Sequence, residues 1–186
     1  MVELALGLLL FFLPHLMVGQ APMVRLRQRL GAKGYRGVFS LVVLLGLVLI
    51  VVGMGRVDDV RLYQPPAWSQ HLAPLLMLLA CYLLLLSQLG GAISRQTAHP
   101  MSLAVLLWAL AHLGANGGLS GTLLFATFAL YSLLAIWRQY LRGVRPRLRP
   151  GRLGRHHEIW LALFTLALFL SLLLLHPHLF GGRSLV

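Results

Sequence analysis

Three histidines stand where an ionisable side chain is costly. His99 and His112 lie at the start and near the end of an otherwise apolar stretch, and His15 is embedded in Phe11-Phe12-Leu13-Pro14-His15. Ionisable groups at membrane depth are rare and mark functional apparatus. A neutral imidazole is tolerated in apolar surroundings, ligates iron, zinc or copper, and exchanges protons near neutral pH. Taken singly, a membrane histidine can equally be a hydrogen-bonded packing residue; several together favour chemistry. His71, at the edge of a further apolar run, joins the set. His156 and His157 sit in a basic loop, where solvation is expected. His176 and His178 flank Pro177 near the end of the last apolar run, and are expected at the interface.

His99 and His112 are 13 residues apart, roughly 20 Å along a helix and roughly 220° around it, so they cannot share one metal ion. His112 shares a helical face with Trp108 and Asn116, at i−4 and i+4. Asn116 is placed to orient the imidazole, and Trp108 to wall a flat apolar ligand. His99 precedes Pro100, the pattern of a helix start. Its expected role is an interfacial hydrogen bond, with proton transfer as the alternative.

The elements that must position these residues are membrane helices. Of 186 residues, 59% are hydrophobic and 11% charged, and the apolar residues come in runs long enough to cross a bilayer. Six spans are expected, at about 2–19, 38–54, 71–89, 98–115, 118–137 and 159–180. The fold class is therefore all-α, a polytopic membrane bundle of about six transmembrane helices in a single domain over 1–186. The fourth and fifth spans should form a tight hairpin through the small residues of 114–121. The first run carries Glu3 and its basic cluster follows it, so it reads as a retained span rather than a signal peptide.

Charge is lopsided, with 16 Lys and Arg against 4 Asp and Glu. The basic residues fall in loops between spans, which points to anionic lipid headgroups and away from nucleic acid. Thirteen of them lie in the alternate loops 20–37, 90–97 and 138–158, and three elsewhere. Because Lys and Arg concentrate on the cytoplasmic side, these loops should lie inside, with both termini on the non-cytoplasmic side of a bacterial inner membrane. The Arg-rich loop 138–158 contains Pro146 and Pro150, which argue for a solvated or lipid-contacting segment. Cys81 is the single cysteine, so no internal disulfide forms, and no Cys-x-x-Cys-His is present for covalent haem attachment. Any cofactor is held non-covalently.

Several motifs occur together in order: Gly7 to His15, Tyr35-Arg36-Gly37 followed by Phe39-Ser40, Leu62-Tyr63 with Pro65-Pro66 and Trp68, His99-Pro100-Met101, and Leu107-Trp108 leading to His112 and Asn116-Gly117. Over roughly residues 1–140 the chain resembles the NnrU family of membrane proteins, a family associated with denitrification gene clusters and similar to 15-cis-ζ-carotene isomerase. That isomerase is a haem b membrane enzyme acting on a cis double bond when its iron is reduced. The resemblance implies non-covalent haem b, with His15 and His112 as iron ligands and His71 and His99 as further family histidines. The isomerase has a cysteine three residues before the second ligand, proposed as an exchangeable iron ligand; here that position is Ala109.

In the expected topology His15 and His112 differ in depth by roughly 11 Å, so a haem ligated by both would lie closer to parallel than perpendicular to the membrane plane. His99 is nearer His15 in depth, and His71 nearer His112, so those pairings stay open. Tyr35 and Arg36 are placed either to pair with haem propionates or to anchor the second span at lipid headgroups.

Three function classes follow. The first is a haem-binding protein of the NnrU type, linked to nitrite or nitric oxide metabolism or to haem-dependent isomerisation of an apolar substrate from the bilayer. The second is a non-enzymatic accessory or regulatory protein for denitrification without a cofactor. A transporter is the least supported, because the spans contain no acid or base other than histidine apart from Glu3.

Overall fold

The computed structural model describes residues 1–56, 60–91, 97–144 and 155–180. The tip of the Arg-rich loop, 145–154, lies outside the described residues, as do Asp58, Asp59, Arg95 and Arg183. Six helices follow in order: α1 Val2–Met17, α2 Ala21–Arg56, α3 Ala67–Leu89, α4 Pro100–Ala115, α5 Leu119–Leu141 and α6 Arg155–Phe180. The expected all-α fold is what the chain adopts. α2, α3, α5 and α6 are long and apolar enough to cross a membrane, and α1 and α4 are shorter apolar helices. Large side chains such as Leu41 and Leu130 are each 67% exposed. Helices apolar on their outer faces as well as their inner ones are suited to lipid rather than water, and the chain is a membrane protein.

α2 departs from the expected span. The stretch containing Arg25, Arg27, Arg29 and Lys33 is helical, and the helix is interrupted at Gly31, where φ is 69° and ψ 173°. That backbone state is open to glycine at little cost and to other residues hardly at all. The break falls after Arg25, Arg27 and Arg29, and Lys33 and Arg36 follow it ahead of the apolar span.

The chain divides into two compact units: Met1–Tyr63 with Gly118–Thr127, and Gln64–Gly117 with Phe128–Val186. In the first unit α1 packs along α2 so closely that three glycines leave no room for a Cβ. A Cβ at Gly7 would lie 2.6 Å from the Ile50 nitrogen, one at Gly46 would lie 2.7 Å from the Phe11 nitrogen, and one at Gly53 would lie 2.5 Å from the Leu4 nitrogen. In lipid no water-driven force presses helices together, so small residues that let backbones touch supply the packing. Glu3 pairs with Arg56 at 3.5 Å across one end of this hairpin, an exposed contact of small energetic weight. Residues 60–61 bond to 118–119, with the Leu119 N–H donating to the Val60 carbonyl at 2.8 Å.

In the second unit α3 packs on both α4 and α6. Leu83, Leu86, Ala104 and Leu161 form its core. Pro100 opens α4, where its missing N–H costs nothing. Gly90 ends α3 with φ 77°, and its carbonyl accepts from His157 Nε2 of α6 at 3.0 Å. His157, expected in solvent, thus ties the start of α6 to the end of α3.

Candidate histidine site

His15 and His112 share one local arrangement. Each lies in the last turn of its helix, α1 and α4 respectively. His15 Nδ1 donates to the Phe11 carbonyl at 2.6 Å, and His112 Nδ1 donates to the Trp108 carbonyl at 2.8 Å. A carbonyl only accepts, so both bonds place the proton on Nδ1 and the lone pair on Nε2. Metal-ligating histidines are commonly fixed in this way, with the non-ligating nitrogen on a backbone carbonyl. Both imidazoles also sit near the partly negative end of a helix, which favours a cation there.

Aromatic rings flank both side chains. The His15 ring stacks on Phe11 at 5.0 Å with 27° between planes and meets Phe39 of α2 edge-on at 5.1 Å. Phe39 in turn lies 6.1 Å from Tyr35. The Trp108 ring lies 5.2 Å from His112, and Phe128 packs edge-on against Trp108, also at 5.2 Å. The sequence placed Trp108 on the His112 face correctly; Phe39 and Phe128 come from other helices and could not be paired by spacing.

Asn116 is also on that face. Its side-chain amide donates to the His112 carbonyl at 3.0 Å, and its backbone N–H donates to the same oxygen at 2.8 Å. It therefore holds the end of α4, its side chain adding a second donor to the carbonyl that accepts the final helical bond.

The remaining sequence candidates fall elsewhere. Arg36 is exposed, with Nε donating to the Ala32 carbonyl of its own helix at 3.2 Å. His71 is exposed on α3. His99 is the residue before α4, and its buried Nδ1 has no hydrogen-bond partner among the described residues. Among the described residues no three His, Cys, Asp or Glu side chains cluster as a metal centre.

One neighbour escaped the sequence reading. His176 of α6 brings its ring to 6.1 Å from that of His112, with 33° between planes. The available signal was depth: the fourth and sixth spans run in the same direction in the expected topology, which brings both residues toward the same membrane face.

Fold and site together define an all-helical membrane protein with histidines prepared inside its helices. The chain matches the family described as NnrU protein over residues 3–184, and it belongs to that family. No curated protein and no solved structure matches it.

Proposed function

We propose that this protein binds haem b non-covalently through its transmembrane histidines, with His112 as an iron ligand; His15 carries the same local preparation in the other compact unit. The observation that carries the reading is the shared Nδ1–H bond to the i−4 carbonyl, which directs the Nε2 lone pair outward from the helix backbone. Two imidazoles suit a haem iron, whose other four positions the macrocycle fills, better than a bare cation, which needs more protein ligands. When bound, haem b supplies a one-electron couple and, reduced, a centre for isomerising a conjugated cis double bond. His112 would hold the group, Trp108 beside it, backed by Phe128, would supply apolar surface, and Asn116 keeps the end of α4 in place. An apolar substrate arriving from the bilayer fits these surroundings. Ala109 is fully enclosed and offers no thiol, which favours a redox role in nitrite or nitric oxide metabolism over isomerisation.

A second reading has its own support: the same i−4 bonds satisfy a histidine in lipid without any cofactor, as an accessory protein of denitrification would need. The visible spectrum of detergent-purified protein, oxidised and then reduced with dithionite, separates the two. A b-type spectrum in wild type that is lost in His112→Ala is expected. Haem-free protein from a haem-replete host would overturn the haem reading and leave the accessory one.

The proposed topology has six spans in the bacterial inner membrane, with the basic loops against anionic lipid on the cytoplasmic side. A reporter fused after Val186 should be active on the non-cytoplasmic side. Cytoplasmic activity would remove the six-span count.

A further inference from the structure

We infer that His176 is an iron ligand in its own right, sharing with His112 the haem proposed above; the inference rests on that haem reading. Two axial imidazoles on one iron, each with a metal–nitrogen bond of about 2.0 Å and with about 1.1 Å from nitrogen to ring centre, place their centres about 6.2 Å apart. The His112 and His176 rings are 6.1 Å apart. Axial imidazoles turn about their bonds to the metal, so the 33° between the ring planes agrees with coordination.

The chemistry of the surroundings narrows the ligand. The pair has no third His, Cys, Asp or Glu grouped with it among the described residues, so a bare zinc or copper ion would lack protein donors. A macrocycle brings four nitrogens of its own. Both histidines belong to one compact unit, on α4 and α6, and both are half-buried. His178, two residues further along α6, is exposed and lies about 200° around the helix from His176. It has the same chemistry without the same neighbour.

His176 comes to His112 from a different helix, α6 rather than α4.

Haem content per polypeptide and the electron paramagnetic resonance spectrum of the ferric protein test this in wild type, His176→Ala, His176→Met and His178→Ala. The expected result is a six-coordinate low-spin signal in wild type and His178→Ala. In His176→Ala it should convert to five-coordinate high-spin, and in His176→Met it should return as low-spin with a raised reduction potential. A low-spin signal unchanged in His176→Ala but lost in His15→Ala would overturn the inference and leave the haem reading standing. Wild-type protein with no haem at all would overturn both.

Discussion

Gly46→Ala should lower stability by about 3 kcal/mol or more, among the largest effects of adding a single methyl group anywhere in the chain. The added carbon would sit 2.7 Å from the Phe11 nitrogen and 3.0 Å from the Gly7 carbonyl oxygen. These are backbone atoms of a helix and cannot turn aside, so α1 and α2 must separate along their length. Gly7→Ala and Gly53→Ala meet backbone in the same way and should behave alike. Gly37→Ala, in the same helix with nothing within 4 Å of the new carbon, should instead be neutral or stabilising by up to about 1 kcal/mol, since alanine is the better helix former. Thermal unfolding in detergent micelles measures both. Equal effects at Gly37 and Gly46 would remove the close helix contact from the account of this hairpin.

Leu86→Ala and Leu161→Ala should each cost about 2 kcal/mol. Both side chains are 1% exposed and belong to the same core of the second unit. Helix association in lipid depends on contact between packed atoms, so the loss is chiefly that of the cavity: about 75 Å³ at about 24 cal/mol per Å³. Because the two residues line one core, the double variant should cost less than the two single losses combined. The neighbouring Gly91 sets a useful contrast. A methyl group there would approach Leu86 Cδ1 at 2.6 Å and Leu161 Cδ2 at 3.0 Å, the ends of flexible side chains, so Gly91→Ala combined with Leu86→Ala should recover part of the loss. Unfolding midpoints for the three single variants and this pair decide the point; a fully additive loss would mean the site cannot repack.

How much of this was legible in the sequence depends on the range of the interaction. Six apolar runs became six helices because hydropathy is local and the bilayer sets the length. The basic stretch through Arg25, Arg27 and Arg29 has the charge of a loop but the residues of a helix; Arg, Leu, Gln and Met are good helix formers, and α2 begins at Ala21. Trp108 and Asn116 were placed beside His112 because i±4 spacing is geometry within one helix. The hydrogen bond between His157 and Gly90 spans 67 residues, and no periodicity announces it. Phe39 against His15 and His176 against His112 are contacts between helices, fixed by crossing geometry that uniformly Leu-rich faces do not encode in any readable pattern.

The brevity of α4 reaches beyond the protein itself. Sixteen residues rise about 24 Å, against a hydrocarbon layer of about 30 Å. In the six-span topology a helix this short either draws the two leaflets together or leaves its ends, His99 and Asn116, below the headgroups. Mismatch of a few ångströms is enough to sort proteins among bilayers of different thickness. The lipid around α4 is then part of the site's construction: short acyl chains would bring water and headgroups to His99, whose buried Nδ1 has no partner among the described residues, and long chains would seal it in oil.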